Sequence, residues 1–335
     1  MKKTQNFKKR SKEQRGCANV FKYFKGKGLY YKLAFKNLGV AWALVLAALG
    51  CALSGPQTPD FADPVLNPFG LELENTSYVV PCFADIDGDR DLDAFIATDQ
   101  AQVYYFKNTG SKTSPHFGLK KTYALNQFVT PGSVIYLCSA DLNGDNKPDF
   151  LLGDSQGNLF FFENQCYQNI DNLFAYGKKN DSGLGQVHGP AIPFWADIDG
   201  DGDKDALIGN GLGQVIYYQN TGTKTNLQFT YTDTNYFNLQ LDDIDVFAGL
   251  CLADLDSDRR IDLMLITGNG DFLYFRNEGS YNNPSFAEPV TKPFGLINCA
   301  QGTSPAFVDI DGDRDLDGFM GDGAGQIWFF ENKAK

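Results

Sequence analysis

Residues 83–95 read FADIDGDRDLDAF: five Asp, at 85, 87, 89, 91 and 93, surround Gly88, and apolar residues bound them on both sides. Carboxylates this close repel one another, by about 1 kcal/mol per pair at 4 Å even in bulk water. The stretch recurs. From Asp85, Asp141, Asp197, Asp254 and Asp309 the chain reads DIDGDRDLD, DLNGDNKPD, DIDGDGDKD, DLDSDRRID and DIDGDRDLD, at intervals of 56, 56, 57 and 55 residues. Five copies at so regular a period identify a repeat architecture.

Each acidic stretch follows a short apolar run (VVPCFA, VIYLCSA, IPFWA, GLCLA, SPAFV) and precedes a second (AFIAT, FLLGD, ALIGN, LMLITG, GFMGD). After a Gly- or Asp-rich turn comes a third: QVYYFKN, NLFFFEN, QVIYYQN, DFLYFRN and QIWFFEN. Runs of four to seven aromatic and β-branched residues bounded by Gly, Asn and Asp read as strands. A fourth segment is clearest at 59–71 and 284–296, with weaker counterparts at 115–127 and 227–239. Four strands per unit predict an all-β fold, a β-propeller of five blades, in which radial repetition protects the sheet edges. The last copy stops after its third strand, and the body begins with a fourth-strand segment that has no blade before it. Phe61 to Leu66 is therefore expected to complete the last blade and close the ring; a solenoid would leave both ends unpaired.

Comparing the copies shows which positions carry chemistry. Positions 1, 5 and 9 are always Asp, and position 3 is Asp except for Asn143. Position 7 is Asp91, Lys147, Asp203, Arg260 or Asp315, so its expected contribution is a backbone carbonyl. Position 4 is Gly in four copies and Ser257 in the other, as a tight turn requires. Hard oxygen donors without His or thiolate select a hard cation, and a flexible carboxylate ring favours Ca²⁺ over Mg²⁺. The candidate ligands are Asp85, Asp87, Asp89, Asp91 and Asp93; Asp141, Asn143, Asp145, Lys147 and Asp149; Asp197, Asp199, Asp201, Asp203 and Asp205; Asp254, Asp256, Asp258, Arg260 and Asp262; Asp309, Asp311, Asp313, Asp315 and Asp317. Up to five Ca²⁺ are expected, as structural clamps. The alternative is a solvated turn, which accounts for one or two Asp per copy but not for four at fixed offsets. Position 12 is Ile96, Leu152, Ile208, Leu265 or Met320 where a helix-loop-helix site carries Glu, so each loop joins two strands.

The pattern Dx[DN]GDxxxD between apolar strands, followed by an aromatic strand ending in Asn, resembles the FG-GAP and VCBS repeat family over about 275 residues. The resemblance implies propeller blades with a calcium loop between the innermost strand and the next. Integrin α-subunit heads, members of that family, have seven blades of which only some carry the loop, so their ligand-binding behaviour does not transfer.

Twelve Lys and Arg lie in residues 1–51 against one acid, Glu13, whereas residues 52–335 hold 17 basic and 40 acidic residues, 22 of the acids within the five loops. A body this acidic, with no basic cluster, excludes a nucleic-acid partner. The basic head runs into the apolar stretch 38–53, LGVAWALVLAALGCAL, which is short for a membrane span and reads as an export signal. Its end, Ala48-Leu49-Gly50-Cys51, resembles a bacterial lipobox, with Ala48 where Leu is usual. Three readings stay open: a lipid anchor at Cys51, a cleaved signal, or an uncleaved signal anchor. Each places the body outside the cytoplasm, at the cell envelope or secreted. The expected organisation is a leader over 1–51, a linker over 52–59 and a propeller over 60–335.

Cys82, Cys138 and Cys251 each stand three residues before the first Asp of a copy. Equivalent positions of different repeats are not expected to meet, so all three read as buried hydrophobes; pairing of Cys166 with Cys299 is left open. No catalytic signature frames the acids outside the loops, among them Glu72, Glu74, Asp242, Asp243, Asp245 and Glu288, nor His116 or His188. The aromatic runs Tyr104-Tyr105-Phe106 and Phe160-Phe161-Phe162 read as packing between blades. The expected function is a calcium-binding, exported binding or adhesion module for a protein or glycan ligand. The alternative is a carbohydrate-active enzyme, a hydrolase or lyase, on the same scaffold, which would need unrepeated carboxylates converging on the substrate.

Overall fold

The computed structural model describes residues 19–24, 29–34, 57–165, 170–223, 225–233, 237, 239, 241, 247–299 and 302–334. The chain divides into two compact units, Met1–Ser54 and Gly55–Lys335. In the first, β1 (Asn19–Phe24) and β2 (Leu29–Ala34) form an antiparallel hairpin that the sequence reading did not assign. The apolar stretch 38–53, Cys51 included, lies outside the described residues. Among the described residues no helix is long and apolar enough to cross a membrane.

The second unit is a five-bladed β-propeller. Its strands are β3 (Val65–Leu66); β4 (Val80–Ala84), β5 (Asp93–Thr98), β6 (Gln102–Asn108) and β7 (Phe117–Ala124); β8 (Ile135–Ala140), β9 (Asp149–Asp154), β10 (Leu159–Phe162) and β11 (Lys178–Lys179); β12 (Ile192–Ala196), β13 (Asp205–Gly209), β14 (Val215–Asn220) and β15 (Phe229–Asp233); β16 (Phe247–Ala253), β17 (Asp262–Thr267), β18 (Phe272–Phe275) and β19 (Val290–Thr291); and β20 (Gly302–Val308), β21 (Asp317–Asp322) and β22 (Ile327–Phe330). Each blade is a four-stranded antiparallel sheet, and in the fifth the outer strand is β3, from the start of the unit. Inner strands β4, β8, β12, β16 and β20 contact their neighbours in that order, and β20 returns to β4.

Ring closure follows the expectation from the sequence. Leu66 pairs with Trp328 and Val65 with Phe329, and the Ala62 N–H donates to the Glu331 carbonyl at 2.8 Å. The blade-2 outer strand, Lys178–Lys179, was not legible, because residues 165–177 abandon the Asn-Thr-Gly-like turn used by the other blades. Short 3-10 turns at Pro68–Gly70, Ile170–Asn172 and Pro293–Gly295 are the only helical segments among the described residues.

The aromatic runs pack as expected. Tyr105, Phe106, Phe160 and Phe162 are buried, and the Phe160 and Phe162 rings of blade 2 meet Phe128, from the connection that follows blade 1, at 5.8 Å and 5.2 Å. One expectation is corrected. Cys82, Cys138 and Cys251 do lie near one another, because the inner strands of different blades face a common axis. All three line one cavity of about 200 Å³, together with Phe194, Ser139 and Ala306. Cys82 Sγ donates to Ser139 Oγ of the next blade at 3.5 Å. All three are unpaired thiols, and burial pushes Cys82 and Cys251 up to about 12. Cys299 is also buried and free; Cys166 lies outside the described residues.

Candidate functional site

Each acidic stretch is the hairpin loop from the inner strand to the next, in one register. The residue before position 1 pairs with the Asp at position 9: Ala84 with Asp93, Ala140 with Asp149, Ala196 with Asp205, Ala253 with Asp262, and Val308 with Asp317. Position 2 anchors the loop in the core through Ile86, Leu142, Ile198, Leu255 or Ile310, all buried. Position 4 takes the left-handed conformation in every copy, Ser257 included (φ 57°). So does position 6, as Arg90, Asn146, Gly202, Arg259 and Arg314, which the sequence reading did not single out. With the chain so bent, the position-1 carboxylate accepts backbone N–H groups from inside its own loop: Asp85 takes Gly88 at 2.7 Å and Arg90 at 3.0 Å, and Asp141 takes Gly144 at 2.8 Å and Asn146 at 3.0 Å.

Position 9 is a buried hub. Asp93, Asp149, Asp205, Asp262 and Asp317 each accept the backbone N–H of the Asn that ends the third strand, Asn108, Asn164, Asn220, Asn277 or Asn332, at 2.7–2.9 Å. In three blades a tyrosine hydroxyl also donates to this carboxylate, from Tyr105, Tyr217 and Tyr274. Burial raises Asp93 and Asp317 to about 7, and Asp149, Asp205 and Asp262 to about 6.

Carboxylate oxygens converge, within 4.8 Å of one another, from Asp85, Asp87 and Asp89; Asp197, Asp199 and Asp201; and Asp309, Asp311 and Asp313. In blade 4 the converging set is Asp254, Asp256 and Asp262. Blade 2 has Asn143 at position 3 and forms no such triple of acids among the described residues. Position 7 turns its side chain toward the ring as well. Asp91 is raised to about 6 by burial and by Asp89, Asp203 to about 6 by its contact with Asp201 and by burial, and Asp315 to about 7 by burial and by Asp313. Lys147 and Arg260 instead place their cationic ends on Asp145 and Asp258.

The residues fit a hard cation at these places. The donors are oxygens, and buried carboxylate oxygens of Asp91, Asp315 and Asp317 have no hydrogen-bond partner. A buried polar atom left unpaired costs about 1–3 kcal/mol, more when charged, and a cation in the loop would satisfy it.

Sequence reasoning missed the penultimate residue of each third-strand run, twenty positions after position 3: Lys107, Glu163, Gln219, Arg276 and Glu331. Lys107 pairs with Asp87 and Asp89, Gln219 donates to Asp199 at 2.7 Å, and Arg276 pairs with Asp256 at 2.8 Å and with Asp258 at 3.3 Å. The fixed offset was the available signal. It also missed a cleft of about 220 Å³ in blade 2, lined by Glu163, Asn164, Gln165, Asn172, Leu173, Tyr176 and Lys178, with Tyr176 82% exposed. The signal there was the departure of residues 165–177 from the repeat. Among the other acids, Glu72, Glu74 and Glu288 are exposed, as are His116 and His188; Asp242, Asp243 and Asp245 lie outside the described residues.

A comparison with curated proteins returns no match. Among solved structures, the chain is similar to BBS1N in complex with ARL6DN, at 11% identity over 83% of this chain and 98% of that one (TM-score 0.39) in a mercury-soaked crystal. The lead-soaked crystal of the same complex gives 12% identity over 82% and 97% (TM-score 0.37). The FG-GAP-like repeat family matches residues 85–152, 141–208 and 254–320, together more than half of the sequence. The chain belongs to the FG-GAP-like repeat family.

Proposed function

We propose that the chain is an exported, calcium-stabilised binding module of the cell envelope. The observation that carries this reading is that carboxylates of positions 1, 3 and 5 converge at the same point of the hairpin in blades 1, 3 and 5, where two strands must be held together. Bound Ca²⁺ supplies the positive charge that offsets their repulsion and joins the ends of the hairpin. The chain's own residues do the rest: position 2 fixes the loop to the core, and position 9 ties it to the third strand.

With so many acids placed in repeated loops, recognition is assigned to the irregular part of the ring. The blade-2 cleft combines the exposed ring of Tyr176 with the polar groups of Glu163, Gln165 and Asn172, which suits the apolar face and hydroxyls of a sugar. A glycan is therefore the favoured ligand.

Glycan-array binding of the full chain in calcium and in chelator, with a parallel assay for released sugar, tests the reading. Binding without cleavage, weakened by Tyr176→Ala, supports it. Turnover abolished by replacing one unrepeated acid replaces it with the enzyme reading, and capture of a protein with no glycan bound shifts the ligand class. Export and anchoring are tested by cell fractionation with a labelled fatty acid: a label lost on Cys51→Ser marks a lipid anchor.

A further inference from the structure

Five loops of one register do not present five equal electrostatic environments. In blade 4, Arg260 sits on Asp258, and Arg276 reaches back from the end of β18 to Asp256 at 2.8 Å and Asp258 at 3.3 Å. Asp256 and Asp258 have side chains only 8% and 7% exposed, so two guanidinium groups neutralise two nearly buried carboxylates where a dication would otherwise be needed. The planar guanidinium provides directed donors to carboxylate oxygens and is always charged.

Blade 5 is the opposite case. The place of Arg276 is taken by Glu331, and the place of Arg260 by Asp315. Asp309, Asp311 and Asp313 converge, and among the described residues no Lys or Arg pairs with them. Asp315 (9% exposed) lies against Asp313, with Asp317 (1% exposed) at the base of the loop, and each keeps a buried carboxylate oxygen without a partner. These orphaned oxygens are a second sign, beyond the acidic cluster, that a positive ligand belongs there.

We infer that the loops divide by built-in counter-charge: in the blade-4 loop Arg260 and Arg276 already pair with Asp256 and Asp258 and no divalent cation is taken up, whereas in the blade-5 loop no Lys or Arg among the described residues, Arg314 of the loop itself included, pairs with the converging carboxylates and a divalent cation is required. The inference rests on the calcium reading above and lowers the expected number of ions below five.

Counting Ca²⁺ bound to the full chain at saturation, by equilibrium dialysis or native mass spectrometry, tests it. Asp313→Asn is expected to remove one ion, Asp256→Asn to leave the count unchanged, and Arg260→Gln with Arg276→Gln to add one. A wild-type count of five, an ion lost on Asp256→Asn, or none lost on Asp313→Asn overturns the division between blades and leaves calcium binding standing. The same holds if the double arginine variant gains none while its circular dichroism matches the wild type. A wild-type chain that binds no Ca²⁺ overturns the calcium reading itself.

Discussion

The side-chain oxygen of Asn332 accepts the backbone N–H of Asp60 at 3.0 Å, joining residues 272 positions apart. In other blades the corresponding Asn does the same within a local turn: Asn108 accepts from His116, Asn220 from Gln228 and Asn277 from Ser285, each eight residues on. The motif that shapes an ordinary turn in those blades becomes, in the fifth, the latch of the ring. Asn332 is buried and also accepts the Ala334 N–H, so Asn332→Ala is expected to cost about 1–3 kcal/mol in urea unfolding. Limited proteolysis is expected to cut the Asn332→Ala chain within 57–66 sooner than wild type, and an unchanged cleavage pattern would argue against a latch.

Phe61 is the apolar counterpart of that latch. It is 6% exposed, its ring lies 6.0 Å from Phe307, and its N–H donates to the Phe294 carbonyl at 3.1 Å. Phe61→Ala is expected to lower stability by about 3–5 kcal/mol, the usual cost of removing a buried aromatic ring. Val65→Ala, at an exposed position of β3, should fall within about 0.5 kcal/mol of wild type by the same urea measurement.

The position-9 carboxylates set a pH dependence for the metal-free protein. Asp93 and Asp317 are raised to about 7, and Asp149, Asp205 and Asp262 to about 6, above the value of about 3.9 for an unfolded Asp. Between pH 4 and 7 the folded state therefore binds more protons than the unfolded one, and stability falls as pH rises through that window. In chelator, Tm is expected to be higher at pH 5 than at pH 7.5. Added Ca²⁺ competes with those protons, so its stabilising effect should be larger at pH 7.5. A calcium increment equal at the two pH values would contradict the hub role of position 9.

Buried thiols give a probe of the inner ring. Burial pushes Cys82, Cys251 and Cys299 up to about 12, leaving almost no thiolate at pH 8. Peptide mapping after iodoacetamide at pH 8 should find these three and Cys138 unmodified in native protein and fully modified in denaturant. Rapid native alkylation of Cys82 or Cys138 would mean that the axial cavity opens.

Much of this molecule is written in one dimension, because a repeat reports its own geometry. The 55–57-residue period, the strand-like runs and the orphan segment at Phe61 sufficed for five blades and for the chain end that closes them. Position 4 was readable as a turn because Gly recurs there; position 6 was not, because Arg90, Asn146, Arg259 and Arg314 conceal a left-handed backbone that the loop imposes. The blade-2 outer strand escaped because residues 165–177 leave the pattern, and a pattern is silent where it is broken.

What only tertiary structure decided is which residues of different repeats, or of different strands, share space. Sequence distance makes Cys82 and Cys138 strangers, yet radial packing turns both toward one axis. Likewise Arg276 lies twenty residues from Asp256, but the antiparallel return of the third strand sets its guanidinium on that carboxylate. The sequence alone determined the order of strands and the number of acidic loops, since both follow from local propensity and period. The electrostatic character of each loop depends on a neighbour delivered by the fold, because charge interactions are governed by distance in space rather than along the chain.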